Sequence, residues 1–246
     1  IIVDTGSKDK TVEIAKKYTN KVYFHEWNDH FSEMRNNVIS YSNGDWYFSI
    51  DGDEIIKNPR GLINFFKSEK YKNYNTGFVI QKNYTEIDSN QFSMILVPRL
   101  FKNDEDFHFE GAVHNQPQFK KPTYELDTIL DHYGYIKSDK ELMEKKFDRT
   151  STILKNELEK NPKNIYYWYQ LSKSYAMHKD NEEALDAIEK AYEIAQKNNI
   201  NFKRRMYIYN QLAKMNMKLN NVKITEEVCL ESLKIKKGYL DIYFYL

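Results

Sequence analysis

The stretch Trp46-Tyr47-Phe48-Ser49-Ile50-Asp51-Gly52-Asp53-Glu54 turns an aromatic, β-prone run into an acidic tetrapeptide. It reads as a strand that delivers two carboxylates, Asp51 and Asp53, at its carboxyl end. In an open α/β sheet that end is the ligand rim. Gly52 lets the backbone bend between the two acids with no side chain in the way. Hard cations such as Mg²⁺ and Mn²⁺ take carboxylate oxygens and leave positions for the phosphates of a substrate. The competing reading is an acidic turn, since Asp and Gly are the commonest turn residues. Taken alone, the tetrapeptide favours neither.

Upstream, Ile1 to Val3 reads as a strand ending at Asp4-Thr5-Gly6-Ser7. Ser7 or Asp9 then caps a helix whose inner face carries Val12, Ala15 and the Tyr18 region. Val22 to Phe24 is the next strand, and Phe31 to Ser42 a helix through Met34, Val38 and Tyr41. Strand and helix in alternation predict a parallel sheet with crossover helices, hence an α/β domain. Downstream, Gly77 to Gln81 and Met94 to Phe101 read as strands, with a polar loop at Lys102 to Asp106. Everything after about residue 138 reads as helical. Residue 1 is Ile and the first strand is already under way there. The chain is therefore expected to be an excerpt, with a signal peptide or an opening strand-helix unit out of view.

Composition narrows the class. The chain has 246 residues and 41% hydrophobic content, enough for one large domain or two ordinary ones. Its formal net charge of +1 provides no basic stripe, which argues against nucleic acid as a partner. Cys229 is the single cysteine, so an intrachain disulfide and a cysteine-based zinc cluster are both excluded. Among Val228, Leu230 and Leu233 it reads as a buried, inert thiol. No apolar run approaches the roughly 20 residues that cross a bilayer. The expected location is cytoplasmic, where a lone cysteine is unremarkable.

Three segments together resemble family 2 glycosyltransferases. Ile2-Val3-Asp4-Thr5-Gly6-Ser7-Lys8-Asp9 is similar to their "VDTGSTD" stretch. Trp27 to Asn36 resembles "W-x-x-x-F-S-x-x-R-N", and Asp51-Gly52-Asp53-Glu54 resembles "DADE". Order and spacing agree, and the likeness extends through Arg99-Leu100-Phe101, Phe109 to His114, and His132-Tyr133-Gly134-Tyr135. The resemblance implies an A-type, nucleotide-sugar-binding glycosyltransferase fold. It further implies a donor that is usually a UDP-sugar, and inversion at the anomeric carbon. Relatives open with a strand near "V-K-N-E" and a helix, which this chain lacks.

Residue roles follow from chemistry set against that pattern. Asp4 would accept the uracil imide N–H, its competitor being a helix cap or turn residue. Arg35 would place a charged planar fork near the base or diphosphate, its competitor being an ion pair with Glu33, Asp29 or Asp45. Asp51 would reach the ribose or the metal, and Asp53 would hold a Mn²⁺ or Mg²⁺ ion that bridges the phosphates. His114 or His132 would complete the metal or diphosphate site, imidazole suiting Mn²⁺ better than Mg²⁺. The other histidines, His25, His30, His108 and His178, receive no role.

One departure concerns the base. Where relatives read His-Glu this chain has His114-Asn115, and an amide cannot take a proton. Glu110 or Glu54 must then serve, or a thiol acceptor eases the demand, or activity is impaired.

The helical half carries a second signature. Trp168, Leu171, Ser172, Tyr175, Ala184, Ile188 and Ala191 fall at tetratricopeptide spacing, with Asn161-Pro162 before the first helix and Lys179-Asp180-Asn181 at the turn. Tyr209, Leu212, Ala213 and Cys229 match a second unit, Lys203 to Lys236, more weakly. In the run Tyr166-Tyr167-Trp168-Tyr169 the tryptophan reads as repeat core and the tyrosines as surface. The expected organisation is a catalytic domain at 1–137, a connector helix at 138–160 with a basic face of Lys145, Lys146 and Arg149, and helical repeats at 161–246. The expected function is metal-dependent transfer of a sugar from a nucleotide-sugar donor to an acceptor such as a peptide or protein side chain. Some members of the family with such helices glycosylate bacterial peptides, cysteine residues included. The alternative, favoured by Asn115, is a catalytically impaired domain acting as a helical-repeat interaction module.

Overall fold

The structure is a computed structural model of the chain and describes residues 1–86, 91–134, 136, 140–198, 201 and 205–246. It divides into two compact units, Ile1–Glu144 and Lys145–Leu246.

The first unit runs β1 (Ile2–Asp4), α1 (Thr11–Lys16), β2 (Val22–Phe24), α2 (Phe31–Ser40) and β3 (Trp46–Phe48). It continues with β4 (Glu54–Asn58), α3 (Arg60–Lys67), β5 (Thr76–Tyr84), β6 (Phe92–Lys102), β7 (His108–Glu110), β8 (Gln116–Gln118) and β9 (Thr123–His132). The α/β alternation holds, but the sheet is not the continuous parallel one expected. β1 and β2 pair in parallel as a sheet of their own, and a mixed sheet has the order β3-β6-β5-β9-β4. In that sheet only β5 and β9 run parallel. The reason is that β3, three residues long, pairs with the carboxyl end of β6, Trp46 opposite Lys102. The two strands joined by a hairpin, β5 and β6, supply the long antiparallel backbone. On the first helix Ala15 is buried as expected, whereas Tyr18 is exposed.

Two apolar clusters place the site. Phe65 from α3 packs with Val79, Leu100, Leu126 and Leu130 on one face of the mixed sheet. Tyr47, Phe101, Phe107 and Phe109 form the other cluster, against which Val38 and Ile39 of α2 pack. The second cluster therefore joins α2, the strand before Asp51 and β7. Along β5 every second residue turns inward, and at two of those positions the side chain is polar, Gln81 and Asn83.

α4 (Lys140–Lys160) leads into the second unit, with α5 (Ile165–His178), α6 (Asn181–Lys197), α7 (Met206–Lys218) and α8 (Val222–Ile235) following. Residues 138, 139 and 203, named above as parts of elements, lie outside the described residues. Successive helices pack as neighbours, α5 on α6, α6 on α7 and α7 on α8. Leu171, Ser172, Ala184, Ile188 and Ala191 are buried, and Trp168 and Tyr175 pack against the core. The Asn164 side chain caps α5, and Lys179 ends it with a left-handed φ of 77°. The second helix pair is as complete as the first: Tyr209, Leu212, Ala213 and Cys229 are all buried. Burial pushes the Cys229 thiol pKa up, consistent with an inert thiol. Tyr167 departs from expectation and is buried, because it shares a face, one turn on, with Leu171. Among the described residues no helix is long and apolar enough to cross a membrane.

The approach of α3 to β9 supplies a stability test. A Cβ on Gly61 would overlap the backbone of Asp127, which cannot rotate away. Gly61→Ala is expected to cost about 1–3 kcal/mol or more, read as a lower urea midpoint with unchanged slope. An unshifted midpoint would show that the contact is not tight in solution.

Candidate functional site

Ser32, Arg35 and Asn36 sit at positions i, i+3 and i+4 of α2 and so share one face. The helix starts at His30, whose imidazole accepts the Glu33 N–H at 3.1 Å. Asn36 grips the β7 backbone at two points, donating to the Phe109 carbonyl (3.0 Å) and accepting the Phe109 N–H (2.8 Å). Ser32 donates to the Gly111 carbonyl at 2.7 Å, and the Phe31 N–H to that of Ala112 at 2.8 Å. Arg35 points to the acidic turn. Its Nη1 donates to Ser49 Oγ (3.0 Å), its Nη2 to Asp51 Oδ1 (2.8 Å) and Oδ2 (3.0 Å), and the guanidinium lies 5.4 Å from the Phe109 ring centroid. Its ion-pair partner is thus Asp51 and none of Glu33, Asp29 or Asp45. Two segments far apart in sequence, the Asp51 turn and the chain after β7, are held to one helix face.

β3 stops at Phe48, and Ser49 donates its N–H to the Arg99 carbonyl at 2.8 Å. The turn closes on itself: Glu54 N–H donates to the Asp51 carbonyl (3.1 Å), and the Glu54 carboxylate accepts the Asp51 N–H (2.8 Å). Gly52 is not sterically required, since an added Cβ there would meet open space. Arg99 occupies an irregularity in the β5–β6 register, where Gly77 pairs with Leu100 but Phe78 with Pro98. A bulge of this kind re-aims a side chain. The Arg99 Nη2 pairs with the Glu54 carboxylate and donates to Gln81 Oε1 at 3.1 Å, and Nη1 lies 3.5 Å from Asp51 Oδ2. The Glu54 side chain is fully buried, and this pushes its carboxyl pKa up against the pull of Arg99. Glu54 is therefore built into the turn and is closed to an acceptor.

Asp53 and His132 meet at the other end of the turn. The β5–β9 register sets Asn83 opposite His132, and the β4–β9 register sets Glu54 opposite it on the other side. Asp53 Oδ2 is 3.5 Å from His132 Nε2, and the Tyr133 N–H donates to the Asp53 carbonyl at 3.0 Å. Gly134 closes over the pair: a Cβ there would collide with Asp53 Oδ2 and sit 2.6 Å from His132 Nε2. Among the described residues no three His, Cys, Asp or Glu side chains form a ready metal cluster. A carboxylate and an imidazole nitrogen facing one another in a cradle only glycine leaves open nevertheless suit a cation that takes its other ligands from phosphate and water.

The remaining candidates stand apart in kind. Asp4 accepts the N–H groups of Gly6 (3.0 Å) and Ser7 (3.1 Å), the turn role noted as its competitor. The Ser7 hydroxyl and these N–H groups hold its carboxyl pKa below the usual range. His114 is exposed at a left-handed φ of 51°, next to Gly111 at 97°. Glu110 is exposed on β7 and pairs with His108 Nε2 at 3.0 Å. Tyr135 lies outside the described residues.

Residues 1–139 match the family model described as glycosyl transferase family 2. The chain belongs to that family. Across 201 residues, 78% of the chain, it is 26% identical to the SPbeta prophage-derived glycosyltransferase SunS of Bacillus subtilis. It is 28% identical over 148 residues, 55% of the chain, to a TPR repeat-containing protein of Synechococcus elongatus. The chain spans less than half the length of these curated relatives, 46% and 35%. A crystal structure of S. aureus TarS 1-349 overlaps 96% of this chain and 80% of its own, at a TM-score of 0.43 and 12% identity. The family assignment rests on the sequence match. Residues 1–139 are thus a family 2 glycosyltransferase domain, and tetratricopeptide-like helices follow it.

Sequence reasoning assigned no role to Gln81, Asn83, Ser32, Asn36 or Arg99, which fix the geometry of this candidate site. The signal for the first two was present: polar residues at consecutive inward positions of a strand otherwise apolar on that face.

The His108–Glu110 pair is testable. The Asp106 carbonyl, accepting at 2.7 Å, and then Glu110 raise the His108 pKa above 6.5. The charged pair is therefore fully formed below that value and is lost as pH rises through the raised one. An NMR titration of His108 is expected to give a midpoint above 6.5, and Glu110→Gln to lower it. An unmoved midpoint would mean the pair does not form.

Proposed function

We propose that this chain is the donor-binding and catalytic part of a metal-dependent, inverting glycosyltransferase. It moves a sugar from a UDP-sugar to an acceptor side chain on a peptide or protein. The observation that best supports this is the convergence of Asp53 and His132 beneath Gly134, beside an Asp51 carboxylate held by two arginines.

In this reading Asp53 and His132 hold Mn²⁺ or Mg²⁺. The cation supplies Lewis-acid stabilisation of the diphosphate as it leaves. His114, exposed on the turn after Gly111, has no part in this reading. Asp51 orients the ribose from a fixed position, since Arg35 and Arg99 both restrain it. Arg35 presents its remaining edge to phosphate oxygens. Asp4, already ionised and braced by its own turn, accepts the uracil imide N–H through unused lone pairs. Glu110 is the available base once His108 is neutral and releases it, and a thiol acceptor needs little help from a base. The tetratricopeptide-like helices that follow the domain are the part of the chain suited to presenting such an acceptor.

Asn115, which replaces an acid with an amide, favours the second reading, an inactive interaction module. Calorimetry with UDP and Mn²⁺, together with turnover of a UDP-sugar panel, separates the two. Asp53→Ala is expected to reduce turnover by about 100-fold or more. Gly134→Ala is expected to reduce Mn²⁺-dependent UDP binding, since its Cβ would push Asp53 Oδ2 and the His132 ring out of their facing positions. A full-length protein that neither binds UDP with metal nor turns over any donor sinks the enzyme reading.

A further inference from the structure

A metal-binding histidine must present a lone pair, so the nitrogen of His132 that carries the proton matters. The mixed sheet decides it. Arg99 can only donate, and its Nη2 reaches Gln81 Oε1 at 3.1 Å. That bond fixes which way the Gln81 amide points. Its Nε2 therefore faces away from Arg99 and donates to Asn83 Oδ1 at 2.7 Å. Asn83 Oδ1 can only accept, and His132 Nδ1 lies 2.8 Å from it. Nδ1 must then carry a proton, which makes the 3.3 Å approach of Gln81 Nε2 to Nδ1 a contact between two donors and not a bond. In a neutral ring the lone pair is left on Nε2, the atom 3.5 Å from Asp53 Oδ2. Gln81 and Asn83 are 6% and 7% exposed, so water does not compete freely for either amide. Reversing the direction would turn both amides over and set the Gln81 NH₂ against the Arg99 guanidinium.

We propose that Arg99, Gln81 and Asn83 form a relay of positioning residues that holds His132 in its Nδ1–H tautomer and so aims Nε2, with Asp53, at a divalent cation. The relay rests on the metal reading above. None of its three members touches the cation. Each acts through the next, from a side chain whose charge does not change to an imidazole whose proton could sit on either nitrogen.

The test uses the full chain with ¹⁵N-labelled histidine and Mn²⁺ as the probe. Long-range ¹H–¹⁵N spectra of the metal-free protein, recorded at about pH 8.5, well above the ordinary imidazole range, are expected to show the Nδ1–H tautomer at residue 132. Asn83→Leu, branched at the same carbon but without an acceptor, is expected to move the proton to Nε2 and to weaken Mn²⁺ binding about 10–100-fold. Asn83→Asp restores an acceptor and is expected to keep both the tautomer and the affinity. The relay is overturned if the unaltered protein shows Nε2–H, or if Asn83→Leu leaves tautomer and Mn²⁺ affinity unchanged. Should Asn83→Leu fail to fold, the unaltered spectrum and Asn83→Asp still decide. Asp53→Asn separates the two claims. Mn²⁺ affinity untouched by that change overturns the metal reading, whereas the metal-free spectra judge the relay alone.

Discussion

The pairing of Arg99 with Glu54 inside the turn after β3 carries the rest of the site. Glu54 has no exposed side-chain surface, so its charge is tolerable only while Arg99 and the Asp51 N–H solvate it. Removing one partner of such a pair costs about 3–5 kcal/mol, because the other charge stays behind without compensation. That penalty fixes the guanidinium, and the guanidinium in turn fixes what it touches. Asp51 lies on one side and Gln81 on the other. The acidic tetrapeptide is therefore not a flexible loop that closes around a ligand. It is a turn whose fourth residue anchors it to the sheet and whose first and third residues are thereby aimed.

The α2 face performs the complementary task. Asn36 bonds the main chain of β7 and Ser32 that of the segment after it, while Arg35 bonds a side chain of the acidic turn. Main-chain partners allow the sequence of β7 to vary provided its backbone does not move. This separates an acidic turn tied by charge from a side held through main-chain groups, where Asn115 and the His108–Glu110 pair are found.

The sequence made the α/β class, the helical repeats and the acidic turn legible for a common reason. Each is written locally, as alternation, as helical spacing or as adjacent like residues. The mixed sheet was not legible, because the partner of β3 lies over fifty residues away and three residues carry too little pattern to name it. β4 was missed for a related reason: Glu54 points inward, but Ile55 and Ile56 are exposed, so period-two alternation is absent. Asp53 and His132 could each be nominated from their residue type, yet their meeting depends on β4 and β9 lying side by side. Gly52 was read as giving the backbone room to bend, room that an added Cβ in open space would not take, and Tyr167 as surface. Both readings used residue type where backbone angle and helix face decide.

Charge balance connects the metal reading to the donor. Around the turn Arg35 and Arg99 contribute two positive charges, and Asp51, Asp53 and Glu54 contribute three negative ones. With His132 neutral the cluster carries a net negative charge, and a diphosphate brought against it would meet repulsion in a partly desolvated place. Arg35 and Arg99 do not reverse this, since their charges are already offset by Asp51 and Glu54. On the proposed reading a divalent cation at Asp53 and His132 turns the balance positive at the one point where the carboxylate is solvent-facing. Donor affinity would then depend on the metal before any chemistry begins. The tautomer of His132 matters for the same reason. An Nε2–H would donate toward Asp53 and could not take a cation, whereas on the proposed reading an Nε2 lone pair lets His132 join Asp53 in holding one.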